Sequence, residues 1–222
     1  MHVDLLEFLR CVKPHEPSSL VASVDRIEER DIVSGRLGCP ACGTEYVIGK
    51  GIADFTVDAV QGSAIALPEG SIPPVTNDLA LRAAALLDLT SPGGLVLLAG
   101  SWSMTAFELV TLLDSVHALV LNPTTPVASG YGVSIVLCHT KIPIRPGSAR
   151  GAALDVNHST AEWIAEITTA VRAGGRIVAP AAAQIPDELS LLARDARNWV
   201  AETNRSAASI VKIARSRSAP SG

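Results

Sequence analysis

Leu95-Val96-Leu97-Leu98-Ala99-Gly100-Ser101-Trp102-Ser103 is the stretch whose reading decides the fold. Five successive apolar residues form a run too short for a buried helix and suited to a strand covered on both faces. Gly100 then turns the chain, and a helix is predicted over 103–116, with Thr105 and Glu108 at capping-box spacing. Working outward, strands are predicted at 118–121, 133–137, 152–156 and 176–179. Ser159-Thr160-Ala161-Glu162 opens another helix, with Ile164, Ile167 and Val171 on one face, and Gly174-Gly175 stops it. Upstream, Asn77 or Asp78 caps a helix through Leu79, Ala83, Leu86 and Leu87. Downstream, a last amphipathic helix is predicted over 187–202, with Leu189, Leu192, Ala196, Trp199 and Val200 inward, then an edge strand at 209–214. Strands alternating with helices imply an α/β fold built on a mostly parallel sheet with flanking helices.

Composition bounds the rest. The chain has 222 residues, 48% hydrophobic and 18% charged, enough for a packed core. Mean hydropathy is +0.32, yet no apolar run approaches the roughly 20 residues of a membrane-spanning helix. Docking on the surface of a membrane complex stays open. Net charge is −4, and residues 1–55 hold six Lys and Arg against nine Asp and Glu. That balance argues against nucleic acid as a partner. Lys212, Arg215 and Arg217 form a small basic stretch, read as a solvated tail. The first residues, MHVDLLEFLRC, carry acids where a signal peptide carries bases. A cytoplasmic location is therefore expected, where cysteines serve as metal ligands or apolar fillers more often than in disulfides.

Leu5, Leu6 and Leu9 fit a short first helix, and Tyr46 and Ile48 share one face of a strand. Between them lies Cys39-Pro40-Ala41-Cys42-Gly43. Two thiolates two residues apart on a tight turn are half of a tetrahedral zinc site. Cys11 and His15 can complete it, since Pro14 stands where a second CxxC would place its cysteine. A ribbon that has lost its metal is the competing reading. A redox pair is disfavoured, because the motif opens no helix.

Two resemblances follow. Leu5 to Cys11, Ser34 to Cys42, Tyr46-Val47-Ile48 and Gly51-Ile52-Ala53-Asp54-Phe55 together resemble the small zinc-ribbon family of tRNA and protein methyltransferase activators. That likeness implies a module over 1–55, zinc on Cys11, His15, Cys39 and Cys42, and a methyltransferase-binding role. After a Pro/Gly-rich linker at 56–76, residues 77–216 resemble a class I S-adenosylmethionine-dependent methyltransferase of Rossmann-like fold. The likeness rests on strand order, on Ile142-Pro143-Ile144 before Gly151-Ala152-Ala153-Leu154-Asp155, and on the stretch from Glu166 to Val178. Residues 217–222 read as a flexible tail.

The resemblance implies a glycine-rich turn after the first strand and an acid ending the second. Here Gly100 stands alone beside Trp102, and Asn122 replaces the acid. Gly100 and Asn122 are the cofactor-binding candidates, but S-adenosylmethionine is not expected to bind, and no catalytic residue is assigned. The segment 123–132 is too short and too rich in Pro and Gly for the usual helix, which leaves a sheet face or edge to a protein partner or to an irregular loop covering the same surface. Asp155 with His158, and Cys138 with His139, lie at strand ends where chemistry often sits. A capped turn and a buried filler explain them as well. The expectation is a pseudoenzyme, a non-catalytic accessory or scaffold subunit that binds a protein; the alternative is an active methyltransferase with an atypical cofactor site.

Overall fold

A computed structural model describes residues 1–56, 67, 70 and 77–204 of the chain. Most of the connector expected at 56–76, the strand at 209–214, the three basic side chains and the tail lie outside the described residues.

The alternation read from the sequence is realised in the middle of the chain. Strands β5 (Gly94–Ala99), β6 (Val116–Leu121), β7 (Val133–Leu137), β8 (Ala149–Ala153) and β9 (Val171–Pro180) are separated by α2 (Ala106–Leu112) and α3 (Ala161–Ala170), and α1 (Asn77–Leu86) precedes them. Period-two geometry sorts the apolar runs. Leu95, Leu97 and Ala99 join the cluster that contains Trp163, Ile164 and Ile167 of α3. Val96 and Leu98 join the cluster of Ala83, Ala106 and Leu109 beneath α1 and α2. A run buried on both faces is what this three-layer arrangement requires.

The sheet is not mostly parallel. Four strands precede the alternating region, β1 (Val21–Glu28), β2 (Asp31–Gly38), β3 (Glu45–Gly49) and β4 (Ile52–Asp54), and two follow it, β10 (Leu189–Arg194) and β11 (Asn198–Thr203). All eleven form one sheet in the order β1-β2-β3-β4-β7-β6-β5-β8-β9-β11-β10. The core from β4 to β9 is parallel. Antiparallel pairings extend it on both sides. The ribbon residues thus continue the central sheet, through Ile52, Ala53 and Asp54 of β4 against Ile135, Val136 and Leu137 of β7.

Three local readings are corrected. The helix expected over 187–202 is the β10–β11 hairpin: Trp199, Val200 and Ala201 are buried against β9, whereas Leu192 is exposed. The helix expected from Ser103 begins as a 3-10 helix, Gly100–Thr105, and only its second part is α2. Thr105 has helical backbone and spends its hydroxyl on Trp102 O, so the capping box with Glu108 does not form. Gly174-Gly175 does not stop α3, which ends at Ala170. The pair lies inside β9, where Ala149 faces Val171 but Gly151 already faces Arg176. The extra residues of β9 bulge out, with Gly174 at φ 74°. A Cβ on Gly175 would lie 2.5 Å from Arg150 O. No described helix is long and apolar enough to cross a membrane.

Candidate functional site

The first centre is the Cys/His quartet. The Cys39–Cys42 turn leaves β2 and is closed by Gly43 N donating to Cys39 O at 2.8 Å and Cys39 N donating to Thr44 O at 2.9 Å. Gly43, at φ 72°, takes the left-handed position. Cys11 is brought to the turn after the 3-10 helix Val3–Glu7, and its amide donates to Ser18 O. Ligand atoms of Cys11, His15, Cys39 and Cys42 all lie within 4.8 Å of one another, a group that could hold a metal ion.

The edges of this tetrahedron are informative. With Zn–S about 2.3 Å and Zn–N about 2.0–2.1 Å, ideal geometry gives S···S edges of roughly 3.8 Å and S···N edges of roughly 3.5 Å. Cys11 Sγ and Cys42 Sγ are 3.7 Å apart, and Cys39 Sγ lies 3.4 Å from His15 Nε2. The donor set therefore fits zinc. The surroundings orient it as outer partners of a metal site do. His15 Nδ1 is 2.6 Å from Glu16 O, which leaves Nε2 for the centre. Tyr46 Oη accepts the Val12 amide at 3.3 Å and bonds Cys11 Sγ at 3.1 Å. Hydrogen bonds from the Thr44 side chain and backbone lower the Cys42 thiol to about 6. Burial pushes the Cys11 thiol up. Pro14 costs the site nothing visible, because His15 reaches it from the next position.

The second centre lies at the carboxyl ends of β5, β6 and β8. The order β7-β6-β5-β8-β9 makes β5 and β8 the topological switch point, the place where open α/β sheets bind ligands. Gly100, at φ 60°, ends β5 there, and a Cβ on it would overlap the Asp155 carboxylate. Asp155 Oδ2 accepts Ser101 N at 2.9 Å. Its Oδ1 accepts Asn157 N at 3.1 Å and His158 N at 3.2 Å, and lies 2.7 Å from His158 Nδ1. Burial opposes the charge, but these bonds outweigh it and hold the Asp155 carboxyl below its ordinary value. Trp102 Nε1 donates to Leu154 O at 3.1 Å, across the same turn.

Asn122, at φ 46°, staples two strand ends: Nδ2 donates to Cys138 O at 2.8 Å, and Cys138 N donates to Oδ1 at 2.9 Å. His158 Nε2 is 3.5 Å from the same amide, and its ring meets Trp163 edge-on at 4.7 Å. Gly100 and Asn122 are thus brought to one end of the sheet, each engaged with its own neighbours. Cys138 is fully buried and its thiol is pushed up by burial, while His139 is exposed. Sequence reasoning missed Tyr46 and Thr44 as supports of the quartet; alternation marked Tyr46 only as core.

No protein-family model matches the chain, and no curated protein matches it. Solved structures do resemble parts of it. Geranyl diphosphate methyltransferase in complex with S-adenosylmethionine is 14% identical, over 46% of this chain and 48% of that one, with a TM-score of 0.37. A complex between the Haloferax volcanii Trm112 methyltransferase activator and a methyltransferase is 16% identical, over 46% and 50%, at 0.37. The [4+2]-cyclase SpnF is 11% identical, over 57% and 63%, at 0.41. The match spans about half the length of the first two. Structures of geranyl diphosphate methyltransferase hold S-adenosylmethionine, sinefungin or S-adenosylhomocysteine. The expectation that S-adenosylmethionine does not bind is corrected to this extent: structures that resemble part of this chain hold it or a close analogue. The coarse likeness is to a methyltransferase-like α/β fold with a mixed sheet.

Proposed function

We propose that the chain is a non-catalytic accessory subunit. In this reading a zinc-clipped ribbon, paired strand to strand with a methyltransferase-like α/β half, presents a surface to a protein partner. The observation that carries it is the saturation of Asp155. Four donors from Ser101, Asn157 and His158 meet one carboxylate at the switch point. A carboxylate met by four donors is fixed in place as a structural clasp, and each bond to its charged form lowers its basicity for general base work. The surface on offer is the outer edge of the sheet. β1 is its terminal strand, and Val21, Val24 and Ile27 are exposed along it, with Val47 exposed on β3. An edge of this kind pairs with an extended segment of another chain, whose backbone takes up the ladder groups that β1 leaves without a strand partner among the described residues.

The test uses the full chain, purified from its source organism with its partner and then reassembled from separate components. Val24→Asp combined with Ile27→Asp should abolish a 1:1 complex in analytical ultracentrifugation, and Asp155→Asn should leave it intact. Methyl transfer from S-adenosylmethionine by the purified wild-type chain, lost in Asp155→Asn, would overturn the accessory role. It would establish the alternative, an active methyltransferase with an atypical cofactor site. That alternative draws on Gly100, a left-handed glycine that follows β5 at the switch point.

A further inference from the structure

The loop that leads from α1 to the amino end of β5 is gripped by one cation. Arg150, near the start of β8, donates from Nη1 to Ser91 O at 2.6 Å and to Gly93 O at 2.5 Å, and from Nη2 to Ser91 Oγ at 3.0 Å. Its stem lies against Gly94, where a Cβ would come within 2.4 Å of Arg150 Cδ. Only 8% of Arg150 is exposed, yet all of these acceptors are neutral. The acid whose charge reaches it, Asp88, is itself paired with Arg176 at 3.4 Å. A cation withdrawn from water and met by neutral oxygens alone is poorly compensated. A second cation worsens the balance. The β8–β9 register sets Ala149 against Val171, which brings Arg172 beside Arg150. Burial, and then the like charge of Arg172, hold the Arg150 guanidinium below its ordinary value. Arg172 is exposed and makes no ion pair among the described residues. Ser91 is exposed too, and Pro92 after it disfavours helical backbone, which keeps the serine out of α1. Its Oγ accepts from Arg150, and its own O–H meets no acceptor among the described residues.

We propose that Ser91 is a phosphorylation site and that Arg150 and Arg172 receive the phosphoryl group. A protein kinase supplies the terminal phosphoryl group of a nucleoside triphosphate. The Ser91 Oγ–P bond forms as the bond from that phosphorus to the diphosphate breaks. The hydroxyl proton passes to the kinase's base, and a nucleoside diphosphate leaves. The product brings a charge of about −1.5 to −2 at neutral pH to an atom that the Arg150 guanidinium already holds. Charge-assisted bonds from both arginines then clamp the loop to β8 and β9. The site stands apart from the accessory role: Ser91 precedes β5 at its amino end, whereas Asp155 follows β8 at its carboxyl end.

The full chain isolated from its source cells with phosphatase inhibitors present, and mapped by peptide mass spectrometry, should carry phosphate on Ser91. The full chain made with phosphoserine incorporated at position 91 gives a second readout, its phosphorus NMR titration. The second proton of that phosphate should be lost roughly tenfold or more readily in the folded chain than in urea, because paired guanidinium groups favour the dianion. Arg172→Gln, a change at an exposed position, should bring the titration back toward the urea value and leave the thermal transition of the unphosphorylated chain in place. Phosphate on Thr90 in place of Ser91, no phosphate on either, a folded titration that coincides with the one in urea, or a shift undiminished in Arg172→Gln would each overturn the inference.

Discussion

At the scale of single residues, Asp155 shows how the donors around a strand-end acid define its place in the fold. Position after a parallel strand, an acid and a histidine three residues on suggest chemistry. The chain forms a 3-10 turn there, Val156–His158, capped by that acid. Its carboxyl is held below its ordinary value, so its bonds stabilise the fold above the unfolded value of 3.8. That contribution is lost as pH falls through the lower folded value. Asp155→Asn should therefore cost about 1–3 kcal/mol at neutral pH, the worth of charge-assisted bonds replaced by weaker ones. The gap between wild type and variant should close as pH falls from above 3.8 through the lower folded value. Urea unfolding at a series of pH values checks this, and a gap that is constant with pH would count against a clasp made by the charge. The reason the sequence left Asp155 open is that spacing alone does not say which donors converge on a carboxylate. Gly100 was legible as a tight turn, but not that an Asp would fill the space beside it.

At the scale of elements, the sequence spoke clearly wherever period and burial coincide. β5, β7 and β3 were readable because their apolar positions are consecutive or strictly alternating. The stretch from Leu189 to Thr203 misled, because its inward residues fit helical spacing as well as two short strands joined by a turn. What decides between them is tertiary: β9 offers an open ladder, and Asp195 accepts Arg197 N and Asn198 N, each at 2.7 Å, to close the hairpin. Strand β1 was invisible for the opposite reason. It is an edge strand exposed along most of its length, and its apolar Val21, Val24 and Ile27 stand three apart, so no period-two face marks it. Trp199 anchors the hairpin, fully buried, with Nε1 donating to Ala183 O at 3.0 Å. Trp199→Ala should destabilise the protein by about 3–5 kcal/mol, the usual cost of emptying a large aromatic site. In a helical segment, Leu192→Ala would be comparably harmful. In the hairpin Leu192 is exposed, so that substitution should cost well under 1 kcal/mol. Equilibrium unfolding of the two variants separates the alternatives.

At the scale of the whole molecule, zinc should act beyond the ribbon that holds it. Residues 1–55 and the α/β half contribute to one hydrophobic cluster, in which Leu5, Leu9, Leu37 and Tyr46 occur with Leu97, Leu119, Ile144 and Ile164. Arg10 N donates to Pro143 O and Arg145 N donates to Phe8 O, lacing the N-terminal segment to the loop before β8. The β4–β7 pairing then makes the two parts one ladder. Tyr46 links the levels: its hydroxyl touches Cys11, and its ring stacks obliquely on Phe55, 4.4 Å away, at the end of the ribbon. Metal that binds only the folded state stabilises whatever unfolds with the site. The purified chain should carry one zinc, and heating should give a single transition with equal calorimetric and van't Hoff enthalpies. Chelation, or Cys39→Ser, should move that entire transition to lower temperature. If chelation instead shifts only a small separate transition and leaves the main one in place, the ribbon is an independent unit and the shared cluster does not couple the two parts. A chain that binds no zinc at all would leave the quartet as a hydrogen-bonded cluster and remove the metal from the proposed clip.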